Sequence, residues 1–379
     1  MAVNVEVIHG DCLAEIQKLR DRKIIVDAVC CDPPYHLLPT QQRFGGPHSA
    51  PAKHGRDGAM ARLSSGFMNS RWDGGDIAFR PETWSEIATI MRPGAFLAAF
   101  GGCRTYHRLT CAIEDAGFII QDCLMFMFAT GFPKRRDMLK PAFEPIVLAY
   151  KPGGKRTMQI DECRIAAETI RTVQTPSQNA GTIYGADQRT RVEFVNDRGR
   201  WPANCVHDGS DEVLAAFPVA KGAYVNDASA AFKLAERKPT TRRGVTGFDD
   251  GKPCSTLYTD AGSAARFFFS AKAGAQDRWG SRHPTVKPVD LIRWLVKLVV
   301  PPGGRFLDPF AGSGTAGVAA LAEGRDAILI ERDPTYIADI RERMAFYEGG
   351  GTHSMQAKNR SRKSTAGPLF DPPALEAAE

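Results

Sequence analysis

The feature that most constrains this 379-residue chain is the position of its glycine-rich turn. Residues 305–317 read Arg-Phe-Leu-Asp-Pro-Phe-Ala-Gly-Ser-Gly-Thr-Ala-Gly, a short apolar strand that turns into a helix, with Gly312, Gly314 and Gly317 at G-x-G-x-x-G spacing. Glycines so placed let the backbone approach a nucleoside-bearing cofactor. Glu331, nineteen residues after Gly312 at the end of the next apolar run, stands where a carboxylate can take ribose hydroxyls. Alone, the turn reads equally as a tight strand-to-helix bend without a ligand. Its place in the chain says more. A nucleotide-binding half needs a third strand after the acidic one, yet only a helix over 335–346 and a tail follow. The missing strand must come from elsewhere, and residues 5–9, just ahead of Asp11, are the candidate. The expectation is an α/β sheet, circularly permuted, whose cofactor half is completed by the N-terminus.

The remaining pattern agrees with α/β and a largely parallel sheet. Apolar runs at 24–31, 95–100, 118–129 and 145–150 alternate with helical spacing at 13–19, 81–91 and 104–116, and the alternation resumes from 289. Two stretches break it. Residues 36–80 are rich in Gly, Ser, His and Arg and carry six basic against three acidic side chains, which suits a solvated loop or a basic flap closing over nucleic acid. Residues 151–280 are polar with only short apolar clusters, an irregular inserted subdomain. The division is 1–150, with the loop at 36–80, then 151–280 and 281–348, and a disordered tail over 349–379.

The run at 24–31 stops at Asp32-Pro33-Pro34-Tyr35, because two prolines cannot extend a strand ladder. In open α/β sheets ligands bind at the carboxyl ends of strands, where this tetrapeptide falls. An exocyclic amine on a base is a poor nucleophile, its lone pair delocalised into the ring. Two acceptors on its N–H bonds, the Asp32 carboxylate and the Pro33 carbonyl, would draw it towards sp³ geometry. Tyr35 could stack on a base taken out of its helix. The plain alternative is a Pro-Pro strand terminator with a surface tyrosine, which the glycine turn makes less attractive.

Composition excludes several classes. With 43% hydrophobic and 24% charged residues the chain can bury a large core, and no uncharged apolar run is long enough to span a bilayer. No signal-peptide pattern opens the chain. Nine cysteines without a CxxC argue against disulfides and zinc and favour a reducing cytoplasm. His207 and His283 lack partners at ligand spacing, so no metal is expected. A net charge of +6 permits a polyanionic partner without requiring one.

Asp32-Pro33-Pro34-Tyr35, then His283-Pro-Thr-Val-Lys-Pro288, then Asp308-Pro-Phe-Ala-Gly-Ser-Gly-Thr315, then Glu331 together resemble the β-class DNA amino-methyltransferases in content and in order. Residues 199–204 and 263–268 resemble solitary phage and prophage members. The resemblance covers roughly residues 3 to 347. It implies a circularly permuted Rossmann-like methyltransferase sheet, with a catalytic half at 1–150, a target-recognition insertion at 151–280 and a cofactor half at 281–348. It implies S-adenosylmethionine as donor. Asp308, Phe310, Gly312, Ser313, Gly314 and Thr315 would lie near its methionine part, with Lys287 beside the carboxylate and Asp32 at the transfer point. Glu331 would lie at the ribose, Asp11 and Cys12 near the adenine. Catalysis falls to Asp32, Pro33, Pro34 and Tyr35. Asp at the first motif position suggests adenine N6, since cytosine N4 relatives more often have Ser. Double-stranded DNA is the implied partner, with Lys134, Arg135, Arg136, Arg198 and Arg200 as contacts, and a homodimer is compatible. Methylation of cytosine N4 or of structured RNA remains open, as do a nicotinamide oxidoreductase, which leaves the Asp-Pro-Pro-Tyr turn unexplained, and an inactive DNA-binding relative.

Overall fold

The computed structural model of the chain describes residues 3–35, 76–131, 137, 139–156, 158–166, 170–174, 192–196, 198–220, 255–257, 262–271 and 274–351. Most of the loop expected at 36–80, the basic run Lys134-Arg135-Arg136 and the tail beyond 351 lie outside those residues.

Val5–His9 (β1) leads through Gly10 into Cys12–Asp21 (α1). The Asp11 carboxylate caps that helix, accepting from the amides of Leu13 and Ala14 at 3.1 and 3.3 Å. Val26–Cys31 (β2) follows, then Pro81–Thr89 (α2), Met91–Phe100 (β3), Tyr106–Asp115 (α3), Ile119–Met127 (β4) and Phe143–Tyr150 (β5). Next come Ile170–Gln174 (β6), Val192–Asn196 (β7), Cys205–His207 (β8), Asp211–Ala216 (α4), Val219–Ala220 (β9), Ser255–Leu257 (β10), Gly262–Ser263 (β11) and Phe269–Ser270 (β12). Val289–Val299 (α5), Arg305–Asp308 (β13), Thr315–Glu323 (α6), Asp326–Glu331 (β14) and Pro334–Glu348 (α7) complete the order.

Nine strands form one sheet in the order β1-β14-β13-β2-β3-β5-β4-β8-β12. Only β5 runs against its neighbours; the pairs β1–β14, β14–β13, β13–β2, β2–β3, β4–β8 and β8–β12 are parallel. The first strand of the chain is hydrogen-bonded to the last, with His9 opposite Glu331. Side chains of a strand alternate between faces, and β2 shows the consequence. Ala28 and Cys30 enter a core shared with α5, α6 and α7, whereas Val29 and Cys31 enter one shared with α1, α2 and α3. A strand covered on both sides has to be apolar throughout, which is why this run reads as continuous rather than alternating. The interior strands are thus sandwiched between two helical layers.

Two expectations change in detail. The strand expected from Ala95 begins at Met91 and passes through Pro93 and Gly94, and the pairing with β2 shifts register between Val26 and Ala28 to absorb the irregularity. The stretch at 151–280, expected as an irregular inserted subdomain, contributes β8 and β12 to the main sheet. Val206 is buried in the same core as α5, and the Phe269 ring stacks on Trp294 at 5.6 Å. Strands of two and three residues are too short to show a period, so the sequence pattern hid them. The remaining strands of the described insertion form two small antiparallel units, β10-β6-β7 and β11-β9.

Because Val206 packs into the main core, Val206→Ala should lower the stability of the whole protein by about 2 kcal/mol. Urea unfolding followed by tryptophan fluorescence should show one transition moved to lower denaturant; a shift confined to a separate minor transition would mean the insertion folds on its own.

Candidate active site

Parallel strands end on the same edge of a sheet, and here four of those ends carry carboxylates. β1 is followed by Asp11, β2 by Asp32, β13 ends in Asp308 and β14 in Glu331. Around them lies a cavity of about 330 Å³. Of the residues expected from the sequence, Asp11, Cys12, Asp32, Pro34, Lys287, Asp308, Phe310, Gly312, Ser313, Thr315 and Glu331 line it. Pro33 is buried, Tyr35 stands behind Asp32, and Gly314 forms the bend into α6; none of these three is part of the wall.

The glycine turn has the backbone that only glycine adopts freely. Gly312 and Gly314 have φ of +50° and +72°. A methyl group on Gly312 would sit 3.2 Å from the His283 Nε2, and one on Gly314 would press on Ile340. The Gly312 amide donates to Glu331 Oε2 at 2.8 Å, and the Asp333 amide donates to Oε1 at 2.8 Å. Glu331 is therefore fixed, and a carboxylate so held keeps acceptor capacity for a hydroxyl. Burial raises its pKa, with the amides of Asp333, Gly312 and Arg332 opposing the rise.

Asp308 has less help. Among the described residues the Phe310 amide donates to it, at 3.1 Å, and the side chain is almost fully enclosed. Burial first, then the charges of Asp32 and Glu331, push its pKa up to about 8. A wall carrying this carboxyl and Glu331 favours a cationic ligand. Cys12 beside them stays a neutral thiol, pushed by burial up to about 12.

On the opposite lip the tetrapeptide forms a tight polar assembly. The Tyr35 hydroxyl donates to Asp32 Oδ1 at 2.6 Å, and Lys287 Nζ lies 2.8 Å from Oδ2. The same ammonium donates to the Tyr35 oxygen at 3.0 Å and lies 3.1 Å from Glu144 Oε2. Burial pulls the Lys287 pKa down, but the two carboxylates outweigh it and hold the group well above its usual value. Lys287 was expected beside a cofactor carboxylate; in this structure its ammonium is engaged by Asp32 and Glu144, because the segment 283–288 crosses the end of β2 before entering α5.

Arg198 and Arg200, expected to contact nucleic acid, are not part of the cavity. Arg200 pairs through its backbone with Ile165, and its guanidinium lies 4.8 Å from the Phe267 ring. Sequence reasoning missed Glu144 and also Arg343. The latter is fully buried and donates to Ser313 O at 3.0 Å, Thr315 Oγ1 at 3.2 Å and Asp277 O at 3.0 Å. It ties the glycine turn to the loop ahead of His283. The signal was present: Tyr336, Ile340 and Met344 form the buried stripe of α7, and Arg343 falls on it.

With this geometry established, comparison with known proteins is informative. The family model described as DNA methylase, for N6 and N4 methyltransferases, matches residues 26–342. The chain belongs to the N6/N4 DNA methylase family. Among curated relatives of this family, it is 38% identical over 68 residues to the type II methyltransferase M2.DpnII of Streptococcus pneumoniae, covering 18% of this chain and 25% of that protein. It is 47% identical over 55 residues to the DNA adenine methyltransferase YhdJ of Escherichia coli (strain K12), covering 14% and 19%. The matches thus span about a quarter or less of these relatives' length. Among solved structures, the M1.HpyAVI–SAM complex gives a TM-score of 0.45 at 15% identity over 90% of this chain and 98% of that one. PvuII DNA methyltransferase, described as cytosine-N4-specific, gives 0.45 at 13% over 96% and 93%.

Among the described residues of this DNA methylase family member no helix is long and apolar enough to cross a membrane. Removing the Arg343 tether should loosen the turn. Arg343→Met leaves the Ser313 and Asp277 carbonyls unsatisfied at about 1–3 kcal/mol each, partly offset because a buried cation is no longer desolvated. Thermal denaturation should show a fall of several degrees; an unchanged melting temperature would mean the tether carries no net stability.

Proposed function

We propose that the chain is a sequence-specific, S-adenosylmethionine-dependent DNA methyltransferase that modifies the N6 amine of an adenine turned out of double-stranded DNA. The observation that carries this reading is the placement of the Asp32–Tyr35–Lys287 assembly on one lip of a cavity whose other wall is the glycine turn with Asp308 and Glu331. The strand order, with β1 joined to β14, supports a circularly permuted Rossmann-like sheet. The segment 151–280 takes the role of target recognition.

The residues suit the donor. It carries a sulfonium and an ammonium, and Asp308 and Glu331 offer carboxyl groups held by backbone amides rather than, among the described residues, by a cation at hydrogen-bond distance. Asp308, Phe310, Gly312, Ser313 and Thr315 would hold the amino-acid part, Glu331 the ribose and Cys12 the adenine edge. When bound, the donor supplies an electrophilic methyl group. A nicotinamide dinucleotide suits the site poorly: the Gly312 amide that a pyrophosphate would need already donates to Glu331.

The chain's own residues act on the amine. Asp32 accepts one of its N–H bonds, which localises the lone pair on nitrogen, and then holds the proton that the nitrogen sheds before water removes it. Tyr35 and Lys287, one on each Asp32 oxygen, fix the carboxylate so that no reorganisation is needed during reaction. Tyr35 offers its ring to the extruded base. Asp at the first motif position favours adenine over cytosine, and the likeness to a protein named as a DNA adenine methyltransferase supports the same choice.

Nucleoside mass spectrometry after incubation with donor and unmethylated duplex DNA should reveal N6-methyladenine, with none from Asp32→Ala. N4-methylcytosine would reassign the base, and unmodified DNA would refute the proposal. A second expectation concerns pH. Binding a cationic donor needs Asp308 ionised, and its pKa is about 8 in the free protein. Donor affinity should therefore tighten as pH rises from 7 to 8, by roughly fivefold from this group. The donor's own amine also titrates in this range, so the quantity to compare by calorimetry is wild type against Asp308→Asn, which should bind more weakly and lack this component. Equal pH profiles for the two would rule Asp308 out as the linked group.

A further inference from the structure

Glu144 lies at the start of β5, the one strand that runs against its neighbours in the main sheet. Strands β2 and β3 bring their carboxyl ends to the site; an antiparallel strand brings its amino end. The pairing of Phe100 with Ile146, and the hydrogen bond from the Gly101 amide to Pro145 O at 2.9 Å, set Glu144 at the same edge as Asp32. Its Oε2 is 3.1 Å from Lys287 Nζ, and that ammonium is 2.8 Å from Asp32 Oδ2. Phe100 closes the other side, its ring centroid 4.8 Å from the ammonium.

One cation is thus shared by two carboxylates. A lysine paired with Asp32 alone would neutralise it and weaken it as a hydrogen-bond acceptor. With Glu144 present the trio keeps a net negative charge, formally one unit, beside the point where an amine nitrogen becomes positive. We infer that Glu144 is a positioning residue for methyl transfer: it shares the Lys287 ammonium with Asp32, so that the lysine can orient the Asp32 carboxylate without cancelling its charge. The inference rests on the proposed amine methylation and adds to it a residue that acts through Lys287 rather than on substrate. In the low-dielectric lip the charge balance matters far more than it would in water.

The test uses full-length protein, single-turnover methylation at saturating donor, and donor affinity by calorimetry. Glu144→Gln keeps the shape of the side chain and should slow transfer by about thirtyfold, as for one member of a coupled charge network, with donor affinity little changed from wild type; Glu144→Asp should recover part of the rate. The decisive variant is Glu144→Gln combined with Lys287→Met. If Glu144 acts through the lysine, the cost of Glu144→Gln should vanish when Lys287 is already absent, so the double variant should be no slower than Lys287→Met alone. If Glu144→Gln costs as much with Lys287→Met as without it, Glu144 does not act through the lysine, and the inference is overturned. A Glu144→Gln loss that follows donor affinity overturns it too. Wild-type protein that methylates no DNA would sink the functional proposal itself, whereas active wild type with an equally fast Glu144→Gln would sink this inference alone.

Discussion

Bringing four carboxylates to one edge of a parallel sheet is the constraint the site has to answer. Asp11, Asp32, Asp308 and Glu331 follow or end adjacent strands, and their charges would repel if nothing intervened. Each is handled differently. Asp11 turns away to cap α1, and Glu331 is held by two amides. Asp32 is held by Tyr35 and Lys287. Asp308 receives one amide, and it alone has its pKa pushed up to about 8. The least compensated carboxyl lies deep in the cavity, where a cationic ligand would complete it.

The divided lysine follows from the same constraint. The four strand ends bring carboxylates to that edge, and the cation that pairs with Asp32 comes from outside the strands. The segment 283–288 supplies it by crossing over β2 on its way into α5, and the reversed strand β5 supplies the second acceptor that keeps it in balance. Packing holds this arrangement together: Phe100 covers the ammonium on one side, and Arg343 ties the glycine turn to the loop that leads into the crossing segment.

Much of this was legible in the sequence because it is local. The Gly312–Glu331 spacing, the Pro-Pro stop after β2 and the continuous apolar runs each report a backbone requirement within a few residues, and the structure brings eleven of the expected residues to one cavity. What was not legible is long-range. Glu144 meets Lys287 only because β5 is reversed, and nothing near Glu144 in the chain records that reversal. The strands at 205–207 and 269–270 were missed because strands so short have no period, and their place is set by burial of Val206 and stacking of Phe269 on Trp294. Arg343 was visible as a charge on an apolar stripe, but its partners lie 28 to 66 residues away.

The raised pKa of Asp308 has a consequence for the empty protein as well as for binding. A carboxyl that titrates at about 8 when folded and near 3.8 when unfolded binds a proton in the native state over that whole interval. Stability from this group is therefore present at low pH and is lost as pH rises towards 8. At neutral pH the free protein thus keeps most Asp308 side chains neutral, while a cationic ligand selects the ionised form and compensates for its burial. The other carboxylates of the edge are satisfied by groups the chain itself provides. Asp308 is the exception, and this couples cavity occupancy to the stability of the sheet beneath it: β13 is the strand on which Asp308 sits, and it joins β1 and β14 to β2 and the Asp32–Tyr35 tetrapeptide.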